Sequence, residues 1–151
     1  MTTQPDFEEL LRLLEKHKVD YMIVGGYAVA FHGYPRFTKD IDVFYDVSTD
    51  NLERLRNALM EFGFQPKQLA TETFTDPGAV VTFGIAPVRV DLLNSIDGVK
   101  YPDARAGRVR GRYGRIEVSF IGRAELLRNK RATGRLRDAA DAEELEPDRQ
   151  D

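Results

Sequence analysis

Residues Tyr21 to Tyr45, YMIVGGYAVAFHGYPRFTKDIDVFY, decide how the rest of the chain is organised. The apolar run Tyr21 to Val24 is short and β-branched enough for a buried strand, and it stops at Gly25-Gly26. A glycine pair closing a strand is a candidate phosphate loop. Glycines reach backbone angles that other residues avoid and let a ligand approach the main chain, and the N–H groups of a helix starting at Tyr27 would face an anion. The second half of the stretch has the opposite chemistry. In Asp40-Ile-Asp42-Val-Phe-Tyr45 the period is two, so Asp40 and Asp42 share one face of a strand while Ile41, Val43 and Tyr45 share the other. Two carboxylates side by side on a strand repel unless a cation lies between them, and hard oxygen ligands suit Mg²⁺ or Mn²⁺.

Composition limits the chemistry further. With 151 residues, 42% of them hydrophobic, the chain can build the core of one ordinary domain. No cysteine is present, which rules out disulfides and thiolate zinc sites, and His17 and His32 are too few for a histidine-rich metal centre. Oxygen ligands remain. No run approaches the ~20 apolar residues of a membrane helix. The opening MTTQPDFEELLRLL is acidic where a signal peptide is basic, so the cytoplasm is the expected location. The net charge of −3 is unevenly spread: residues 105–137 hold ten Arg and one Lys against Glu117 and Glu125. Two readings of that segment stand, a footprint for a polyanion such as a triphosphate or nucleic acid, or a surface whose arginines pair with the acidic parts of the chain.

Along the chain, Asp6 and Glu9 read as a helix start, and Phe7, Leu10, Leu11 and Leu14 as its buried stripe. A short helix from Tyr27 to His32 follows the first strand, with His32 as a packing or capping residue. Pro35 makes Arg36 to Lys39 a connecting loop. Ser48 or Thr49 caps a helix to Phe62 striped by Leu52, Leu55, Leu59 and Phe62, and Gly63 ends it. Residues 64–75 mix strand and turn signals. Val80 to Phe83 and Val88 to Leu93 are expected as a hairpin. Asp91 is a lone carboxylate on the second of these strands and needs a metal, a cation or water; a salt bridge to Arg89 is the plain alternative. Residues 98–114 read as loop with one short strand, and Arg115 to Ile121 as a last strand. Two helices, Arg123 to Ala132 and Arg135 to Leu145, hinge at Thr133-Gly134, and residues 146–151 form a charged tail. No Walker or dinucleotide-binding fingerprint occurs.

The glycine pair, the Asp-x-Asp strand and the intervening Arg36-Phe-Thr38-Lys-Asp40-Ile-Asp42 resemble the signature of the DNA polymerase β-like nucleotidyltransferases. They are closest in form to the minimal bacterial members, which include the toxins of type IV abortive-infection systems. Lys130-Arg-Ala-Thr-Gly-Arg135-Leu-Arg-Asp138 resembles the ending of the same subgroup. The resemblance implies an α/β (α+β) fold: a mixed central sheet of about five strands, helices packed on it and a C-terminal helical pair, all within a single domain over residues 1–145. It implies transfer of an NMP from an NTP to a hydroxyl acceptor with two ions, Mg²⁺ or Mn²⁺, held by Asp40, Asp42 and a third carboxylate, Asp91. Gly25, Gly26, Arg36, Thr38, Lys130 and Arg135 are the expected nucleotide-binding residues. The basic segment favours tRNA or another nucleic acid as acceptor over a cationic antibiotic. No second domain for gripping an acceptor is evident, so an antitoxin or a homodimer partner is an expected source of that surface. The rival readings are a non-catalytic module that binds a nucleotide or a partner, and a small-molecule nucleotidyltransferase.

Overall fold

The computed structural model describes residues 4–34, 39–84 and 89–146. Its centre is a six-stranded mixed sheet in the order β3-β4-β2-β1-β6-β5, formed by β1 (Tyr21–Val24), β2 (Asp40–Tyr45), β3 (Val80–Phe83), β4 (Arg89–Leu93), β5 (Val109–Tyr113) and β6 (Ile116–Phe120). β1 is antiparallel to β2 and parallel to β6, and β2 is parallel to β4; the hairpins β3–β4 and β5–β6 form the two edges. Each residue of β1 is buried. A strand with neighbours on both sides and helices above and below has no solvent face, so its sequence is continuously apolar rather than alternating.

Among the described residues seven helices surround the sheet: α1 (Pro5–Lys16), α2 (Gly25–Phe31), α3 (Thr49–Phe62), α4 (Thr71–Thr75), α5 (Tyr101–Gly107), α6 (Arg123–Ala132) and α7 (Leu136–Leu145). α1 buries Phe7, Leu10, Leu11 and Leu14 as the period requires, but it begins a residue before the expected cap. Pro5 occupies the first turn, where its missing N–H costs nothing, and Asp6 sits inside that turn, favourably placed towards the helix dipole. Ser48 does cap α3, accepting from Asn51 N–H, and Gly63 closes it at φ +132°. The buried stripe of α3 centres on Asn51, Leu55, Ala58 and Leu59; Leu52 and Phe62 lie at its shoulders.

Asn51 is fully buried because it replaces a backbone partner. Its side chain accepts from Asp20 N–H (2.6 Å) and donates to the carbonyls of Asp20 (2.9 Å) and Asp46 (2.8 Å). It thereby ties α3 to the ends of β1 and β2.

Three elements differ from the sequence expectation. α2 starts at Gly25 rather than Tyr27. Residues 64–75, which mix strand and turn signals, hold a 3₁₀ turn at Pro66–Gln68 and the short helix α4, and the helix was not expected. The glycine- and arginine-rich stretch after Gly98 contains α5 as well as the short strand β5, which makes six strands. Pro102 lies in the first turn of α5, where proline is accommodated, so it starts this helix instead of breaking it. Phe44 meets Tyr101 edge to face at 4.9 Å, so α5 covers the sheet face that carries Asp40 and Asp42. On the opposite face the Tyr45 hydroxyl donates to the Phe74 carbonyl of α4 (2.9 Å). Among the described residues no helix is long and apolar enough to cross a membrane.

Candidate active site

The site is built from strand register. β2 and β4 run parallel with Asp40 opposite Arg89 and Asp42 opposite Asp91. Residues paired this way point to the same side, so Asp40, Asp42 and Asp91 share one face of the sheet, with Arg89 among them. Val24, the last residue of β1, pairs with Asp42 on the other side, and the chain then turns at Gly25. Gly25 adopts φ +69°, and a Cβ built on it would overlap the Asp42 carboxylate. Backbone angle and close approach therefore both require glycine here. Gly26 is buried beside it.

Asp42 is hydrogen-bonded to Asp91, and its carboxyl is pushed up to about 7. Burial is the main cause, and the charges of Asp91 and Asp40 add to it; Lys130 pulls the other way. The surroundings of Asp91 are specific. Thr82 Oγ1, from the neighbouring edge strand, donates to Asp91 Oδ1 at 2.7 Å. One terminal nitrogen of Arg89 lies 2.9 Å from Asp40 Oδ2 and 3.3 Å from Asp91 Oδ2. The salt bridge to Arg89 that the sequence offered as the plain reading of Asp91 is thus present, and it extends to Asp40.

Opposite the sheet stand α6 and α7, joined through one buried carboxylate. Asp138 accepts from Lys130 Nζ (2.8 Å), Thr133 Oγ1 (2.7 Å) and Arg135 Nε (2.6 Å), and Asp141 lies 3.4 Å from the same Lys130 nitrogen. Burial raises the Asp138 carboxyl, but the hydrogen bonds from Lys130, Thr133 and Arg135 and the Lys130 charge outweigh it and hold it below the usual carboxylate range. Lys130 and Arg135, expected at nucleotide phosphates, both line the cleft but are engaged by Asp138.

The cleft between these two walls has a volume of about 450 Å³, within the range of small-molecule sites. Gly25, Gly26, Asp40, Asp42, Asp91, Lys130 and Arg135, far apart in sequence, line it together. Arg36 and Thr38, the remaining expected nucleotide-binding residues, lie outside the described residues, as does Val88 of the expected hairpin. The sequence reading missed Thr82 and the bridging position of Arg89. The alternation of Val80 and Thr82 with Val81 and Phe83 carried the signal for Thr82, but only a known register could connect it to Asp91.

Among the described residues no three His, Cys, Asp or Glu side chains are already gathered into a coordination shell. In kind, however, the donor set fits a hard divalent cation. Three carboxylates sit on adjacent rigid strands, one of them is pushed up to about 7 by burial and then by its acidic neighbours, and a guanidinium bridges the other two.

Much of the basic charge in residues 105–137 is neutralised within the fold. Arg105 (2.8 Å) and Arg108 (2.5 Å) pair with Asp20, Arg110 with Glu15 (2.8 Å), and Arg131 with Glu146. His32 Nε2 meets the Ile121 carbonyl at 2.8 Å and His32 follows the last turn of α2, the packing and capping role expected of it.

This mixed sheet, with its flanking helices and C-terminal helical pair, is a nucleotidyltransferase fold. The chain belongs to the family described as nucleotidyl transferase of unknown function (DUF2204), whose model matches residues 3–139. Among solved structures it is similar to TM1012 from Thermotoga maritima, itself provisionally assigned as a nucleotidyltransferase. That likeness has a TM-score of 0.63 at 15% identity and covers 92% of this chain and 91% of the other, so it bears on the fold. No curated protein matches the chain.

Proposed function

We propose that this protein is a metal-dependent nucleotidyltransferase that moves an NMP from an NTP to a hydroxyl acceptor. The observation that carries the proposal is the register of β2 on β4, which sets Asp42 beside Asp91 and both beside the Gly25 turn in one cleft. A non-catalytic binding module would have no use for three carboxylates held against one another at an electrostatic cost.

Asp40, Asp42 and Asp91 would hold Mg²⁺ or Mn²⁺, two ions in the full site. Bound there, the metal would supply charge neutralisation on the triphosphate and acidify the acceptor hydroxyl. The protein's own contribution is position. Thr82 orients Asp91, the carboxylate we assign to take the acceptor's proton. Gly25 and Gly26 leave the main chain open to the phosphates, and Lys130 lends positive charge from the opposite wall. Arg36, Thr38 and Arg135 complete the nucleotide-binding set in this reading.

For the acceptor, the basic segment 105–137, which brings Arg137 to the cleft lining, favours a polyanion such as tRNA over an aminoglycoside. The Arg36-x-Thr38 motif supports the narrower reading of a toxin in a toxin–antitoxin or abortive-infection system. The test is incubation with each labelled NTP, Mg²⁺ or Mn²⁺, and separately total RNA, total protein and aminoglycosides. Label in RNA, with tRNA binding that weakens as salt rises, is the expected result. Label in the aminoglycoside would overturn the acceptor, and label in none of the three would overturn the transferase.

A further inference from the structure

The carboxylate face already has a cation of its own. Arg89 faces Asp40 across the β2–β4 ladder and precedes Asp91 by two residues, so strand alternation directs all three to the same side. A single terminal nitrogen reaches both carboxylates, 2.9 Å from Asp40 and 3.3 Å from Asp91. The two carboxylates are unequal in setting: the Asp91 side chain is 13% exposed and Asp40 36%, while Arg89 is 49% exposed and free to leave towards solvent. A second cation on the cleft lining is not interchangeable with it. Lys130 is buried, and Asp138 and Asp141 hold it on the opposite wall. A guanidinium that contacts two of three proposed metal ligands through one atom occupies the electrostatic role of an ion, and it must give way when one binds.

We propose that Arg89 is a displaceable internal counter-cation: it holds Asp40 and Asp91 together in the metal-free protein and competes with the divalent ion for them. The inference rests on the metal-dependent reading given above. Its consequence is a trade between two measurable quantities. Neutralising residue 89 removes the competitor and strengthens metal binding, and it also removes the guanidinium that bridges Asp40 and Asp91, which weakens the metal-free fold.

Mn²⁺ binding to the full chain, followed by electron paramagnetic resonance of the free ion, and the melting temperature with and without Mg²⁺ test this without reference to turnover. Arg89→Gln is expected to bind Mn²⁺ roughly tenfold more tightly than wild type, as suits the loss of a full charge a few ångströms away. It should melt lower in EDTA and gain more from Mg²⁺. Arg89→Lys retains a compact charge without the fork and should fall between the two, and it covers the case of a glutamine variant too unstable to purify. Arg137→Gln removes a cleft cation not paired with these carboxylates and should change Mn²⁺ affinity less than about twofold. Equal Mn²⁺ affinity in wild type and Arg89→Gln, or an equal gain in Arg137→Gln, would overturn the counter-cation role and leave the metal site standing. Absence of Mn²⁺ binding in wild type and in both Arg89 variants would overturn the role and the metal-dependent reading together.

Discussion

Asp42 is held between Asp91, Asp40 and the Gly25 backbone, and its carboxyl is pushed up to about 7 chiefly by burial. The folded state therefore keeps a proton that the unfolded chain releases near pH 4, and this group favours folding less and less as pH rises from about 4 to 7. Without divalent metal, Asp42→Asn should flatten that slope and raise stability at pH 8 by on the order of 1 kcal/mol. Thermal denaturation of both proteins in EDTA at pH 5.5 and pH 8 measures it, and parallel slopes would count against the assignment. The comparison cancels His32, whose imidazole burial pushes below its ordinary value in both proteins. Gly25 offers a second check. Gly25→Ala meets both a positive φ and the Asp42 carboxylate, whereas Gly33→Ala meets a positive φ and, among the described residues, nothing within 4 Å. The left-handed angle costs about 1–2 kcal/mol in each, so chemical denaturation should find Gly25→Ala the more damaging; equal losses would mean that the contact with Asp42 carries no energy.

The helical pair α6–α7 is fastened at Asp138, a buried carboxylate with three donors and a charge partner on the preceding helix. Removing it leaves Lys130 buried with Asp141 alone at 3.4 Å, so Asp138→Ala should cost about 3 kcal/mol. Hydrogen exchange should show residues 136–145 losing protection first, and unchanged protection there would contradict the role. Because the Asp138 carboxyl lies below its ordinary value, its contribution is present above about pH 4 and fades as pH falls through the folded value. Elements were legible in the sequence wherever one residue pattern had one outlet. The all-apolar β1, the alternating β2 and the capped α3 are cases in point. α5 was not, because Pro102 and the surrounding glycines are loop signals locally and only the packing of Tyr101 on Phe44 and its hydrogen bond to Asp20 (2.7 Å) select a helix. The site followed the same division. The Asp40/Asp42 pair and the glycine turn could be read from spacing, while the Thr82–Asp91–Arg89–Asp40 contacts depend on which strand lies beside which, and that is set by the whole sheet.

At the scale of the molecule, the sheet order places β2 and β4 side by side although β3 and α3 separate them in sequence, and α6 and α7 return to face them. The candidate cleft is thus a product of topology: chain segments near residues 25, 40, 91 and 135 meet only when the sheet is complete. A role of those carboxylates in nucleotidyl transfer is separated from a role in folding by the turnover of a folded carboxylate variant. Wild type and Asp42→Asn, both confirmed folded by circular dichroism, are to be compared for transfer of labelled NMP with Mg²⁺ or Mn²⁺ and the acceptor that takes label in the screen of RNA, protein and aminoglycosides. Asp42→Asn is expected to lose transfer by about a thousandfold or more while keeping its fold; turnover near the wild-type rate would rule out a catalytic role for the carboxylates.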